Sequence, residues 1–319
     1  MDIEYLLSLQ EFREAGGQWL APVMSVLSKM AQYALLIVPI LIFWNARRET
    51  GYWYLLNMGL SDFVNNLVKM AACVYRPWIR EKRIIPWGDA KADATGYSFP
   101  SGHTVIATSV LGPVGVRQWK RRKWLSLLCF LLVLLVAFSR NFLGVHTPQD
   151  VLAAMAETAL VVAFNTWLLR YLHGNEKRQD VWTVIGIGAV IFAVLFYELK
   201  PYPMDMADGV LIVNPQDMMK DGYMSVGTML GFLAGSFWER KKIHFDPSGT
   251  WKQRFLRSAI GLIPALLIYL VLRKPMTRLI GIKAGSLISM CMMTFYVVGV
   301  YPWCVMRFMK RNHRAEKLI

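Results

Sequence analysis

The sequence predicts an all-α polytopic membrane protein, and three observations carry that prediction. The chain of 319 residues is 55% hydrophobic, and its mean hydropathy of +0.35 is high for a soluble domain. Apolar segments about 20 residues long, the length that crosses a bilayer, recur along the chain. The net charge of +15 is concentrated in short basic clusters between those segments. That spacing is typical of membrane-protein loops and argues against a nucleic-acid-binding protein.

The predicted elements begin with a short amphipathic segment and continue with nine spans. The N-terminus lacks the basic region of a cleaved signal peptide, and its apolar residues favour an interfacial helix. The spans lie near residues 21–44, 52–73, 102–117, 124–139, 149–171, 181–198, 222–238, 257–272 and 284–306. With the N-terminus outside, the inside segments hold 21 Lys and Arg residues and the outside segments 13. The positive-inside rule therefore predicts an N-out, C-in topology.

Three features of the second half of the chain have two interpretations each. Residues 273–283 carry four basic residues on the outside, so they form either an outside loop or a re-entrant segment. Gly227, Gly231 and Gly235 recur every four residues, which permits close approach of helix backbones. Packing within the chain is the favoured interpretation, and a homodimer contact is the alternative. Residues 199–221 are predicted to form a solvated loop, with a lid over the site as the alternative.

Three stretches hold titratable residues that a purely structural membrane helix would avoid. In the first stretch, Lys69 and Arg76 lie seven residues apart on one helix face, and Pro77 then stops the helix. The second stretch, Pro100-Ser101-Gly102-His103, opens an apolar helix. It offers free backbone N–H groups beside an imidazole, which suits a bound phosphate.

The third stretch leads into another predicted helix. Thr147 is the predicted N-cap, Pro148 suits the first helical position and Asp150 the third. His146 lies just before this helix, so Asp150 can reach back to the imidazole and fix its tautomer. Arg140 precedes His146 by six residues, which is close enough to bind the same anion.

The three stretches together resemble the signature of the type 2 phosphatidic acid phosphatase (PAP2) superfamily, K-x6-RP, then PSGH, then SR-x5-H-x3-D. Every position is matched, at Lys69, Arg76, Pro77, Pro100, Ser101, Gly102, His103, Ser139, Arg140, His146 and Asp150. The resemblance implies a six-helix phosphatase core with additional C-terminal helices, similar to glucose-6-phosphatase or the sphingosine-1-phosphate phosphatases. Residues 1–180 would then hold the N-terminal amphipathic segment and the core. Residues 181–319 would hold the additional helices, packed on the core in one membrane domain.

The resemblance also implies a role for each matched polar residue. His146 would be the nucleophile that forms a phosphohistidine, Asp150 would orient it, and His103 would be the general acid. The phosphate would be bound by Lys69, Arg76, Ser101, Gly102 and Arg140. No metal or other cofactor is expected, because the sequence shows no cluster of Asp and Glu residues that would indicate a Mg²⁺ site. The loop acids Asp89 and Asp93 stay open as ligands.

The implied activity is metal-independent hydrolysis of a lipid phosphate: phosphatidate, a sphingoid phosphate or a polyprenyl (pyro)phosphate. The alternatives are a glucose-6-phosphatase-like sugar phosphatase, a lipid headgroup phosphotransferase and a silent lipid-phosphate-binding protein. The 74–101 and 139–149 loops are separated by two spans, so they share one face. The charge count predicts that this is the extracytoplasmic or lumenal face of a cell or ER membrane. The expected partners are the lipid substrate and the bilayer.

Overall fold

The computed structural model describes residues 2–94, 96–207 and 209–316 of the protein, so Asp208 and the last three residues of the predicted 181–319 region lie outside it. The described residues are mostly helical, which confirms the predicted all-α class. The helices are α1 (Asp2–Ala15), α2 (Leu20–Asn45), α3 (Arg48–Ala72), α4 (Pro77–Arg80), α5 (Gly102–Gln118), α6 (Lys123–Phe142), α7 (Pro148–Leu172), α8 (Glu176–Leu199), α9 (Pro215–Trp238), α10 (Trp251–Leu267), α11 (Arg273–Ile280), α12 (Ile282–Phe295) and α13 (Tyr301–Glu316). A short antiparallel hairpin joins β1 (Met206–Ala207) to β2 (Val210–Leu211).

Each of the nine predicted spans coincides with helical structure. Six helical stretches are long and apolar enough to cross a membrane, namely Gly17–Asn45, Lys123–Phe142, Pro148–Leu172, Glu176–Leu199, Trp251–Ile280 and Ile282–Met309. The other three predicted spans coincide with α3, α5 and α9. The apolar helices confirm a multi-pass membrane protein. The number of spans and the N-out, C-in orientation stay predictions.

Residues 273–280, predicted to belong to an outside loop or a re-entrant segment, are helical. A π-helical turn at Ile268–Leu272 joins α10 to α11, so that Trp251–Ile280 forms one stretch of 30 residues. Lys and Arg are good helix formers, which explains why a basic segment continues the helix. The chain reverses at Gly281, whose φ of 88° is strained for a residue with a side chain.

Contacts divide the chain into two compact units. Unit 1 comprises Met1–Val38, Leu60–Thr166 and Lys200–Met219, and unit 2 comprises Pro39–Gly59, Trp167–Leu199 and Lys220–Ile319. Every residue that the sequence predicts for the site lies in unit 1. The division into residues 1–180 and 181–319 stays a prediction.

A hydrophobic core in unit 1 supports the segment that carries His146. Its buried members come from α2, the loop before α5, the end of α6 and the loop after α6, and they are Ala21, Met24, Ala90, Ala94, Phe142, Leu143 and Val145. Arg13 of α1 is buried beside this core and donates hydrogen bonds to the carbonyls of Phe142 at 2.9 Å and Ile85 at 2.7 Å. The N-terminal helix therefore packs on the protein and satisfies backbone groups beside the site.

In unit 2, the glycine repeat of α9 lies against the backbone of α12. A Cβ atom on Gly227 would overlap the carbonyl oxygen of Leu287, and one on Gly231 would overlap that of Cys291. A Cβ atom on Gly235 would lie 3.0 Å from the Cβ atom of Val298, just beyond α12. These contacts confirm the prediction that the repeat packs within the chain.

Candidate active site

Two cations from the first stretch hold the loop before α5 in place. Lys69 lies in the last turn of α3, and its Nζ donates to the Pro100 carbonyl at 2.7 Å. Arg76 immediately precedes α4; its Nε donates to the Gly96 carbonyl at 3.2 Å and its Nη1 to the Val145 carbonyl at 3.1 Å. Both side chains are buried. Together they connect the second stretch to the backbone just before His146.

The start of α7 fixes the positions of His146 and Asp150. The Thr147 N–H donates to Asp150 Oδ2 at 2.7 Å, and the Asp150 N–H donates to Thr147 Oγ1 at 3.4 Å, so the predicted capping arrangement is present. The same Asp150 Oδ2 lies 3.4 Å from His146 Nδ1. Asn141 Nδ2 donates to the His146 carbonyl at 2.8 Å. His146 is thus held in place through both its imidazole ring and its backbone carbonyl.

The hydrogen-bond partners of His146 determine its tautomer. Arg76 Nη1 lies 2.9 Å from His146 Nε2, and a guanidinium can only donate. Nε2 is therefore the acceptor, and Nδ1 carries the hydrogen that faces Asp150. Burial, and secondly the Arg76 charge, hold the pKa of His146 well below its ordinary value against the opposing effect of Asp150. The resting imidazole is neutral, with its lone pair on Nε2.

Two further predicted residues bring buried polar atoms to the site. Arg140, in the last turn of α6, is 2% exposed, and its Nη1 donates to Ser28 Oγ at 2.7 Å. Arg140 Nε and Nη2 and His103 Nε2 have no hydrogen-bond partner within the part of the chain that the structure describes. His103 interacts electrostatically with Arg140, His146, Arg76 and Lys69. Buried polar atoms that lack partners are expensive, so this arrangement suits a bound anion.

Ser101 and Gly102 open α5 beside the same group. The Ser101 N–H donates to the Asp150 carbonyl at 3.0 Å, which ties the start of α5 to the start of α7. Ser101 Oγ accepts a hydrogen bond from Thr104 Oγ1 at 3.1 Å. Within the described residues, the Ser101 side chain does not cap α5. The first-turn N–H groups, that of Gly102 included, remain suited to an anionic ligand.

The sequence prediction missed four residues that contact this group or interact with it electrostatically. Asn141 lies inside the third stretch, where its position was a usable signal, whereas Ser98 lies two residues before the second stretch. Ser28 on α2 is far away along the chain, and only the structure brings it to Arg140. Glu157 on α7 interacts electrostatically with Lys69. The cations still outnumber the carboxylates, which favours an anionic ligand.

The segment 200–219 contacts the loops of the site. Residues 199–221 were predicted to form a solvated loop, and the structure agrees with that prediction only for part of the segment. Its hairpin is exposed, but Tyr75 donates to Asp205 Oδ2 at 2.6 Å, and Met218 packs directly on Gly96. Burial and the Asp205 carboxylate raise the pKa of Tyr75 to about 12. Tyr75 immediately precedes Arg76, and the Gly96 carbonyl accepts a hydrogen bond from Arg76. Both contacts therefore support the loops that hold Arg76 and Gly96.

The two loop acids left open as metal ligands are paired with a cation. Lys29 Nζ lies 2.5 Å from Asp89 Oδ2 and 3.6 Å from Asp93 Oδ2. Over the described ranges, no group of three or more His, Cys, Asp or Glu side chains is arranged to hold a metal ion. Activity without a metal or other cofactor stays a prediction.

Two family models match the chain. The PAP2 superfamily model matches residues 50–174, which contain all three stretches. A second model, described as PAP2 superfamily phosphatase, transmembrane extension, matches residues 223–314.

Curated relatives are similar over parts of the chain. Lipid phosphate phosphatase delta of Arabidopsis thaliana is 25% identical over 173 residues, 51% of this chain and 40% of that protein. Phosphatidylglycerophosphatase B of Escherichia coli (strain K12) is 40% identical over 82 residues, 25% of this chain and 32% of the relative. Undecaprenyl-diphosphatase of Sulfolobus acidocaldarius is 26% identical over 117 residues, 37% of this chain and 54% of the relative. The matches therefore span about a third to a half of these relatives. No solved structure matches the chain significantly.

Proposed function

The chain belongs to the PAP2 superfamily, and from that premise we propose that it is a membrane phosphatase that hydrolyses a lipid phosphate through a phosphohistidine. The reaction needs a nucleophile with an unprotonated lone pair, cations around the phosphoryl group and a proton for the leaving oxygen. Unit 1 contains a candidate for each of these roles.

In the first step, His146 Nε2 attacks phosphorus, and the bond from phosphorus to the lipid oxygen breaks. Asp150 faces Nδ1–H at 3.4 Å and stabilises the positive charge that the imidazole gains. His103 gives a proton to the departing lipid alkoxide, so that a neutral alcohol leaves.

In the second step, water attacks the phosphohistidine. His103 takes one proton from the water, the N–P bond breaks, and inorganic phosphate is released. Lys69, Arg76, Arg140, Ser101 and the Gly102 N–H bind the phosphoryl oxygens in both steps. Because the four side-chain donors are buried before substrate binds, they stabilise the transition-state charge with little reorganisation.

One observation carries this proposal: the neutral His146 Nε2 lies 2.9 Å from the Arg76 guanidinium, in a site where Arg140 keeps two buried nitrogens without a partner among the described residues. A phosphoryl group that approaches Nε2 meets a nucleophile and several cations at once.

The proposed substrate class is a lipid monophosphate or a polyprenyl (pyro)phosphate. The relatives' names refer to lipid phosphate, phosphatidylglycerophosphate and undecaprenyl diphosphate, and the chain is a multi-pass membrane protein. A headgroup can enter the site while its chains stay in the bilayer. We place the site on the extracytoplasmic or lumenal face, on the strength of the positive-inside bias.

Phosphate release by the purified protein tests this function. The substrates are phosphatidate, a sphingoid phosphate, a polyprenyl pyrophosphate and glucose 6-phosphate, each with and without EDTA. We expect release from at least one lipid, undiminished by EDTA, and inhibition by vanadate, which mimics pentavalent phosphorus. The variant His146→Ala should lose activity by several orders of magnitude.

Other outcomes reject parts of the proposal. Release from glucose 6-phosphate alone would indicate a sugar phosphatase, and transfer to an added lipid alcohol without net release would indicate a phosphotransferase. No turnover of any substrate would refute the enzyme assignment. Loss of activity in EDTA would refute metal independence.

A further inference from the structure

Ser98 is a buried hydroxyl that the mechanism above does not use. It lies two residues before Pro100, is 1% exposed, and its N–H donates to the Val74 carbonyl at 2.7 Å. Its Oγ donates to Asp150 Oδ2 at 2.6 Å and lies 3.4 Å from His146 Nδ1. The hydroxyl therefore stands beside the contact between the carboxylate and the imidazole.

Asp150 Oδ2 is shared by three groups. The Ser98 hydroxyl and the Thr147 N–H lie at 2.6 and 2.7 Å, and His146 Nδ1 lies farther away, at 3.4 Å. Two short hydrogen bonds from different segments fix the oxygen in space. They also withdraw part of its negative charge from the imidazole.

We infer that Ser98 is a positioning residue that acts through Asp150 on the nucleophile His146. Its hydrogen bond orients the carboxylate toward Nδ1–H and limits how strongly the carboxylate attracts a proton to the ring. Among the described residues, the Ser98 hydroxyl is placed against Asp150 and His146, so its effect falls on the chemical step rather than on phosphate binding. This inference rests on the proposed function.

The charged and titratable groups that face His146 come from four elements. They are Asp150 on α7, Arg76 before α4, Arg140 on α6 and His103 on α5. The neutral ring is the reactive form, so kcat/KM falls as the pH drops through the pKa of His146. Burial and Arg76 hold that pKa below the ordinary histidine value of about 6.5. Without the Ser98 hydroxyl, Asp150 becomes a stronger acceptor, stabilises the imidazolium and raises this pKa.

The test compares the pH profiles of Ser98→Ala and the wild-type protein. In Ser98→Ala we expect kcat to fall about tenfold, the change that corresponds to one lost hydrogen bond to a charged group. We expect KM to stay within about twofold, because no phosphate contact is removed. The acid limb of kcat/KM should move to higher pH. Ser98→Thr, which keeps the hydroxyl, should restore the limb.

A matched control removes another buried hydroxyl from unit 1. Ser109 on α5 is fully buried and donates to the Ile106 carbonyl at 3.0 Å. Ser109→Ala should leave the position of the acid limb unchanged. If Ser98→Ala does not fold, Ser98→Cys replaces it, because a thiol is a weak donor of similar size.

An unmoved acid limb, or a change confined to KM, overturns the role of Ser98. Failure of the proposed function gives a different result, since the wild-type protein itself would then release no phosphate.

Discussion

At the residue scale, Arg140 is the side chain whose burial is hardest to explain without a ligand. Arg140 is 2% exposed, and its guanidinium donates one hydrogen bond to Ser28. Two of its nitrogens lack partners among the residues described here. A buried charge in this state costs stability, and function is the usual reason that such a cost is retained.

We therefore expect Arg140→Met to raise the melting temperature of the ligand-free protein by roughly 2–4 °C, because an incompletely paired buried charge is replaced by an apolar side chain of similar length. The same variant should lose the stabilisation that vanadate gives the wild-type protein. Thermal unfolding with and without vanadate measures both effects.

The control is Arg13→Met, which should lower the melting temperature. Arg13 donates to the carbonyls of Phe142 and Ile85, and the substitution leaves these acceptors unpaired. If Arg140→Met lowers the melting temperature as Arg13→Met does, Arg140 is a structural residue and not an anion ligand.

Sequence reasoning reached most of the site at this scale, because a motif lists residue types at fixed spacing. It identified His146 and Asp150 and their local geometry, since both belong to one helix start. It could not identify Ser28, whose contact with Arg140 joins positions 112 residues apart. Ser98 was within reach, but a serine beside a motif carries no signal until its hydroxyl is seen to face a carboxylate.

At the element scale, the close approach of α9 to α12 depends on missing side chains. Gly231 lies against the Cys291 carbonyl, where a Cβ atom has no room. Gly188 of α8 is also helical, and nothing described lies within 4 Å of the Cβ that it would carry. A substitution at Gly188 therefore serves as the control for the same substitution at Gly231.

We expect Gly231→Ala to lower the free energy of unfolding by about 1–3 kcal/mol through overpacking. Gly188→Ala should leave it unchanged or raise it by up to about 1 kcal/mol, because alanine favours the helix. Denaturation of the purified protein in detergent measures both values. Equal effects of the two substitutions would mean that α9 does not approach α12 closely.

Helices made of apolar residues were predictable from hydropathy, whereas helices made of charged residues were less predictable. The apolar runs located every predicted span. The four basic residues of 273–283 left an outside loop and a re-entrant segment open, and residues 273–280 continue the preceding helix. Charge marks where a segment meets water, but it does not break a helix, and Gly281 is the residue that reverses the chain.

At the scale of the whole molecule, composition and the basic loops sufficed to predict a multi-pass all-α membrane protein. The attachment of residues 200–219 to the site loops was not predictable, because single contacts such as Tyr75 with Asp205 leave no periodic pattern. In unit 1, the three stretches begin at Lys69, Pro100 and Ser139, and their residues converge around His146 and Asp150. That the three stretches form one site was inferred from the order of their motifs, and not from the local secondary-structure propensity of any of them.

The claim that His146 is the nucleophile is tested most directly by trapping the intermediate. The purified protein is mixed with a ³²P-labelled lipid phosphate, quenched within milliseconds and digested for mass spectrometry. We expect an acid-labile, base-stable phosphoryl group on His146, absent in His146→Ala. It should accumulate in His103→Ala if water activation is slowed more than attack is. Label on His103 or on a serine, or turnover without any covalent label at His146, would contradict the mechanism.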